Sequence, residues 1–380
     1  MLVLGKRTLK GLVNMKFEDE VTMIALTGGP CAGKDTAIVR LTQDLEDKGF
    51  EVYVQPEVAA ELILSGITPQ RLGHMRFQQL IFNESVRKEE LRLSAARQSG
   101  SRRKKIILCN RGALDGRAYM IRHQFAKMVA ESGYTLPQLW SRYKGAFHLV
   151  SAANGAERYY TLANNKARKE SISEAKKLDE LTRNAWNGHP HLRIIGNKRP
   201  GGFGAKYRAL LREVCMLLGI PEPLEIERWF LVKPRSFTSL PIDKVVVDIE
   251  QPYLLSSHPD EELRIRKRGI DGNSVAYLTQ KLNRGDVRIE DEMVIYHAEY
   301  SAHLLHRDKS RWIVRKKRCC FVWNEQYLEL DHFTNPRFPF LKLECELTRS
   351  NQEVVIPPFL KVIKEVTGDP AYSNFMLAKK

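Results

Sequence analysis

No apolar run in the 380 residues approaches the roughly 20 that a membrane-spanning helix needs, so the sequence predicts no such helix. The six cysteines (Cys31, Cys109, Cys215, Cys319, Cys320 and Cys345) include no CxxC pair. That leaves neither a paired-cysteine metal site nor a disulfide framework, and a reduced, cytoplasmic setting is expected. Acids are scarce beside bases: 45 Asp and Glu face 61 Lys and Arg, a formal charge of +16. Anionic partners follow: nucleic acid, an acidic lipid surface or phosphorylated small molecules. A nucleic-acid reading motif with interleaved aromatics is also missing, so nucleic acid is not the expected partner. Otherwise the composition is that of a globular protein, 43% apolar and 28% charged, and the length suits two domains.

Residues 1–20 hold Lys6, Arg7, Lys10 and Lys16 and no acid before Glu18. They lack the apolar core of a secretory signal, and they are too poor in serine and arginine for a good transit peptide. The expectation is a basic extension, with peripheral contact to an anionic membrane as the alternative role.

Val21 to Leu26 is an apolar run suited to a buried parallel strand. It leads into Thr27-Gly28-Gly29-Pro30-Cys31-Ala32-Gly33-Lys34-Asp35-Thr36, and Ile38, Leu41 and Leu45 then recur at helical spacing. Strand, glycine-rich loop and helix stand in the order of a phosphate cradle. Glycines let backbone N–H groups approach phosphate oxygens, the helix N-terminus favours negative charge, and Lys34 reaches the terminal phosphates.

The pattern lacks two things. Asp35 stands where GxxxxGK continues with Ser or Thr, and Asn110 stands where the strand 105–109 should end in an acid. Either Asp35, with Thr36, is a relocated Mg²⁺ ligand, or the site binds nucleotide weakly, since a bare carboxylate repels phosphate. Glu57 follows a second strand, 51–54, as a candidate base or as a first-turn glutamate of the helix 58–64. Arg71 to Leu93 reads as one long helix, and 146–150 and 192–195 as further strands. The segment 151–187 reads as an arginine-bearing lid, holding Arg158 and Arg168, or as a solvent-facing helix pair with Glu170, Glu174, Asp179 and Glu180 interleaved. A helix over 203–218 stops at Gly219-Ile220-Pro221-Glu222-Pro223.

After Pro223 the period changes from 3.6 to 2, and residues two apart are repeatedly charged. Glu225 and Glu227 share a face, as do Arg264, Arg266 and Arg268; Lys316 and Arg318; Glu329 and Asp331; and Glu344 and Glu346. Lys281 and Arg288 stand in further sets of this kind. An antiparallel sheet with its charged face in water accounts for the alternation. A closed sheet whose mixed lumen holds polyphosphate with Mg²⁺ or Mn²⁺ accounts for it too, and relieves the repulsion among like charges.

The segments 27–34, 110–119 and 188–195 together resemble the P-loop domain of the nicotinamide-nucleotide-regulator and TRPL translocation defect protein family. The stretches 224–232, 263–268, 277–281 and 343–347 resemble a CYTH-like triphosphate tunnel. This likeness, running from about residue 21 to the end, favours the lumen over the open sheet. It implies an α/β P-loop nucleotide-binding domain over 21–219, a linker at 220–223, and an antiparallel β-barrel over 224–380. It also implies binding of GTP, with ATP the alternative, binding of phosphoinositide or another polyphosphate, and a role in trafficking.

Carried onto this sequence, the nucleotide-binding residues are Gly28 to Thr36 (Gly28, Gly29, Pro30, Cys31, Ala32, Gly33, Lys34, Asp35 and Thr36), with Arg111 and Asp115. Lys34, Glu57, Arg158 and Arg168 are the catalytic candidates. Arg264, Arg266, Arg268, Lys281, Arg288, Lys316 and Arg318 are the polyphosphate ligands. Asp35, Thr36, Glu225, Glu227, Glu344 and Glu346 are the metal candidates. Trp229 departs from the tunnel pattern, which has lysine there, at a loss of about 1.5–3 kcal/mol for a charge-assisted hydrogen bond. A nucleotide-regulated binding protein is therefore the leading expectation, and a nucleoside-type kinase or tunnel triphosphatase the alternative.

Overall fold

The computed structural model describes residues 21–160, 171–197, 202–220, 227–256, 261–284, 287–347 and 353–380, without the side chains of 282–291 and 346. The expected sites Arg168 and Glu225, and the side chains of Arg288 and Glu346, lie outside the described residues. Two compact units result, Met1–Met128 with Tyr143–Thr182 and Val129–Arg142 with Arg183–Lys380.

Strands β1 (Thr22–Thr27), β2 (Glu51–Gln55), β3 (Lys105–Asn110), β4 (Gly145–Leu149) and β5 (Leu192–Ile195) form a sheet of order β2-β3-β1-β4-β5. The β1–β3, β1–β4 and β2–β3 registers are parallel. Met23, Ile24, Ala25 and Leu26 are buried to 2% or less, because helices cover a parallel sheet on both faces. Helix α1 (Lys34–Asp47) buries Ala37, Ile38, Leu41 and Leu45, the predicted stripe. Helix α2 is Val58–Leu64.

The expected helix from Arg71 onward is broken. Gly73, at φ 78°, ends α3 (Pro69–Leu72), and its carbonyl accepts from Phe77 as α4 (His74–Gln98) starts. The glycine takes the left-handed turn at no steric cost. Helices α5 (Arg122–Glu131), α6 (Leu136–Ser141) and α7 (Ile172–Ala185) follow, then α8 (Gly202–Leu217), which stops with Gly219 at φ 73°.

The second sheet has nine strands in the order β10-β9-β8-β7-β11-β12-β13-β6-β14. They are β6 (Glu227–Val232), β7 (Val245–Gln251), β8 (Glu261–Ile270), β9 (Asn273–Arg284), β10 (Val287–Ile295), β11 (Val314–Trp323), β12 (Gln326–Asn335), β13 (Leu341–Glu346) and β14 (Val362–Glu365). Helix α9 (His297–Leu304) joins β10 to β11, and α10 (Asn374–Leu377) closes the chain. The ladders are antiparallel.

One face of β6, β11, β12 and β13 carries an apolar cluster that includes Phe230, Phe321, Leu330 and Leu343. The other face is charged and just as hidden: Arg268, Lys316, Asp331 and Lys342 are exposed by 3% or less. The charged face of the period-2 pattern therefore looks into an interior and not into bulk water. No helix among the described residues is long and apolar enough to cross a membrane.

Candidate functional site

β1, β2 and β3 end side by side at Thr27, Gln55 and Asn110, the edge at which ligands collect in such sheets. Gly28 adopts φ 144°, and a Cβ there would lie 2.3 Å from the Leu149 carbonyl oxygen, so no other residue fits. Gly33 (φ 85°) turns the chain into α1. The Lys34 ammonium is 6% exposed and donates to the Gly28 carbonyl at 3.2 Å. Burial, and next the Arg111 guanidinium, push its pKa down to about 8.

Arg111 sits at φ 68°, a strained conformation for a non-glycine residue. Its Nε donates to Glu57 Oε1 at 2.8 Å and its Nη1 to Asp115 Oδ1 at 3.1 Å. Thr27 Oγ1 donates to the same Asp115 oxygen at 2.5 Å. Asn110 Nδ2 donates to Asp35 Oδ1 at 2.6 Å, so the carboxylate missing at 110 stands one hydrogen bond away at 35. A cavity of about 910 Å³ opens beside this cluster, with Lys34, Glu57 and Arg111 in its wall.

The phosphate-loop pattern implies Mg²⁺. Proteins usually hold it with one or two carboxylates and complete its shell with substrate phosphates and water. Asp35 with the neighbouring Thr36 hydroxyl, both exposed at the start of α1, fits such a one-carboxylate site. Among the described residues no group of three or more His, Cys, Asp or Glu is placed to hold a metal by itself.

Two further residues complete the placement of the expected sites on this unit. Arg158 is exposed in a single 3-10 turn, stacks 4.6 Å from the Tyr159 ring, and is absent from the cavity wall. Asp179 is not a solvent-facing helix charge. It is 4% exposed, its Oδ1 accepts from the Gly29 N–H at 2.8 Å and the Ser151 N–H at 3.0 Å, and His148 Nε2 lies 3.2 Å away. Burial pushes its carboxyl up, but His148 and the two amides outweigh that and hold it below its ordinary range. Nothing in the sequence separates Asp179 from the exposed acids around it.

In the second unit seven cations line a narrow space of about 80 Å³: Arg264, Arg266, Arg268, Lys281, Lys316, Arg318 and Lys342. Glu227, Glu262, Glu329 and Glu344 are the acids in the same wall. Arg318 is the hub. Its Nε and Nη2 each reach Asp331 at 2.6 Å, its Nη2 reaches Glu344 at 2.5 Å, and its Nη1 bonds Glu329. Lys316 bonds Asp331 at 2.5 Å, and burial, then Arg318, push its pKa down to about 8. Arg266 pairs with Glu292 at 2.6 Å. Arg268, 2% exposed, gives Nη2 to the Gly188 carbonyl at 2.7 Å, while its Nε and Nη1 are buried with no hydrogen-bond partner among the described residues.

Of the acids expected to hold a metal here, Glu344 is an ion-pair partner in this structure. Arg318 and Lys342 both bind it, and with Lys316 they hold its carboxyl well below the ordinary range against the effect of burial. Glu227 lines the space, while Glu225 and the Glu346 side chain lie outside the described residues. A cation from the next strand stands beside Trp229. Lys342 Nζ stands 3.7 Å over the Trp229 ring and 3.0 Å from Glu344. The sequence did signal Lys342, two residues before Glu344 on the same face of β13.

Residues 23–201 match the family model described as AAA domain, which makes this stretch an AAA-type P-loop domain. No curated protein matches the chain. Among solved structures, the chain is similar to the inorganic triphosphatase NE1496, at 28% identity and TM-score 0.31 over 40% of this chain and 93% of that one. PH1819 protein from Pyrococcus horikoshii OT3 matches at 20% identity and TM-score 0.28, over 33% and 80% of the two chains. Deoxyadenosine kinase from M. mycoides with bound dATP matches at 10% identity and TM-score 0.35, over 51% and 99%.

Proposed function

We propose that the chain is a regulatory binding protein for two phosphorylated ligands: a nucleoside triphosphate at residues 28–36, and a polyphosphate in the charged interior of the second unit. The observation that carries the reading is the lumen wall, where buried cations outnumber acids and Arg268 keeps two N–H groups unsatisfied. Buried guanidinium donors without acceptors are costly, and an anion that supplies several oxygens relieves that cost.

The acids already paired with Arg318 and Lys316 set a threshold. An incoming anion has to displace them, which favours a polyphosphate over a single phosphate. A phosphoinositide headgroup meets the requirement when it carries adjacent phosphates, and contact with a membrane surface would follow from it. The resemblance favours GTP over ATP and a role in trafficking within the cytoplasm. In the nucleotide site Mg²⁺, when bound, neutralises phosphate charge. Asp35 and Thr36 would hold it, while Lys34 and Arg111 orient the phosphates from the protein side.

The test is calorimetric titration of the whole chain. Tripolyphosphate should bind at least tenfold more tightly than orthophosphate, and Lys34→Ala should abolish nucleotide binding while leaving tripolyphosphate binding intact. Equal affinity for tripolyphosphate and orthophosphate would overturn the lumen reading. Nucleotide affinity indifferent to Mg²⁺ would remove Asp35 as a metal ligand. Competition between GTP and ATP, and between phosphoinositide headgroups and tripolyphosphate, decides the identities.

A further inference from the structure

Among the lumen cations Arg268 stands apart. Arg318, Lys316, Arg266 and Lys342 each hold a carboxylate at 3.0 Å or less. Arg268 instead gives Nη2 to a neutral acceptor, the Gly188 carbonyl, at 2.7 Å. Glu329 stands 3.9 Å from it and is bonded to Arg318. An anion arriving at Arg318 or Lys316 has to displace an acid. At Arg268 it displaces none, because Nε and Nη1 are buried with no partner among the described residues. A buried guanidinium in that state is costly, and a phosphate oxygen relieves the cost.

The group that holds Arg268 does not come from the nine-stranded sheet. Gly188 lies in the turn between α7 and β5, and this turn packs within the second unit. Trp186 and His189 are fully buried there, with their rings edge to face at 5.8 Å. Gly188 adopts φ 101°, and a Cβ on it would lie 2.5 Å from the Trp140 ring, so the turn is pressed against α6 with no room for a side chain. His189 Nδ1 accepts from the His191 N–H at 3.0 Å, and Pro190 stiffens the backbone between them. The first histidine is thus a buried strut. The second is half-buried and, with Pro190, lines the same narrow space as Arg268.

We propose that the turn 188–191 is a functional wall of the lumen: Arg268, aimed by the Gly188 carbonyl, and His191 form the subsite that takes the first phosphate of an incoming polyphosphate. A ring N–H of His191 donates to that phosphate. The inference rests on the lumen being a polyphosphate site and says where in it binding begins. A lone phosphate fits this subsite without breaking an ion pair. The further phosphates of a longer ligand compete with Asp331, Glu329 and Glu344 for Arg318 and Lys316, so each of them works against an acid and the first does not.

The experiment titrates the full chain calorimetrically with orthophosphate and with tripolyphosphate. Both should bind wild type, and His191→Ala should weaken both by about tenfold, the worth of one hydrogen bond to a charged acceptor. His191→Gln keeps an N–H donor and should recover most of that loss, which a packing role would not produce. Nucleotide affinity should be unchanged in both variants. Undiminished tripolyphosphate binding by His191→Ala would overturn the proposal. So would a loss confined to tripolyphosphate, which would put His191 at a later phosphate, or a glutamine variant as weak as the alanine one. Wild type that binds tripolyphosphate but no orthophosphate would also overturn it, since the first subsite demands no displacement. If wild type binds neither, the polyphosphate reading itself falls, and the wild-type titration alone tells the two failures apart.

Discussion

Replacing Asp179 with alanine should be among the most damaging single changes in the P-loop unit. Its Oδ1 serves three groups at once: the Gly29 amide, the Ser151 amide and His148. Hydrogen bonds to a charged acceptor are worth about 1.5–3 kcal/mol each, and each buried amide left without its acceptor costs about 1–3 kcal/mol. The site has little room to relax, because a Cβ on Gly29 would already lie 2.8 Å from Asp179 atoms. We therefore expect Asp179→Ala to cost about 3–5 kcal/mol, and Asp179→Asn, which keeps an acceptor oxygen, about 1–2 kcal/mol on the same scale. With urea m-values of about 1–3 kcal/mol/M, the alanine variant's midpoint should fall by roughly 1–5 M. The folded-state pKa of Asp179 is depressed, so its stabilisation is present above the unfolded value near 4 and is lost as pH falls through the folded one. The urea midpoints of wild type and alanine variant should therefore converge below pH 4. An Asp179→Ala midpoint within about 0.3 M of wild type at pH 7 would refute the reasoning, since it would mean the two amides find other partners at no cost.

Three further outcomes are expected. Because the Lys34 pKa is near 8 in the free protein and phosphate binds the protonated form, nucleotide affinity should fall about tenfold per pH unit above 8; a flat profile from pH 8 to 9.5 in titration would contradict this. Lys342→Met keeps an apolar stem against Trp229 but removes the lumen charge. Tripolyphosphate affinity should drop by about 1.5–3 kcal/mol, the thermal midpoint falling as well because buried Glu344 loses one of its two cations, and equal binding by the two proteins would show that Lys342 does not replace the lysine missing at 229. Gly28→Ala should prevent stable folding of the first unit or abolish nucleotide binding, as circular dichroism and titration would register, because its Cβ meets the Leu149 carbonyl at 2.3 Å; a folded variant with full binding would count against the tight approach.

Legibility in the sequence followed how local each signal is. The phosphate loop was readable because strand, glycines and helix are contiguous, and β1 and α1 lie within a few residues of their expected bounds. The alternating charges of β8, β11, β12 and β13 were equally plain, yet period 2 alone could not say which face is wet. The answer came from the opposite face, where Phe230, Phe321, Leu330 and Leu343 pack under the sheet and leave the charges the interior. Gly73 was visible as a residue but not as a helix break, since an isolated glycine within a helical pattern is often tolerated. Asp179 and Gln55 were not legible as site residues. The partners of Asp179 lie far off in the chain, 150 residues away for Gly29, and the burial of both residues is decided by tertiary packing. Lys342 lies within reach of the strand period, two residues before Glu344, although the tunnel pattern has its lysine at 229.

The two candidate sites solve anion binding by different physics, and the difference predicts how each should respond to its surroundings. At the loop, backbone amides and the start of α1 supply fixed dipoles, and charge comes from few side chains, chiefly Lys34 and Arg111. In the lumen nearly all the attraction comes from ionised side chains that are already paired with acids in the empty state. A ligand there exchanges Glu329, Asp331 and Glu344 for its own oxygens around Arg318, so its net gain is the difference between two sets of ion pairs. Protonating those acids would free the cations, but Glu344 is held well below the ordinary carboxylate range, so mild acid does not release it. Lys316, near 8, titrates first as pH rises, and lumen affinity should weaken on the alkaline side while remaining level toward pH 5. An affinity for tripolyphosphate that rises steeply between pH 7 and 5 would mean that the acids are not paired as described. The self-paired lumen would then be the wrong starting state for binding.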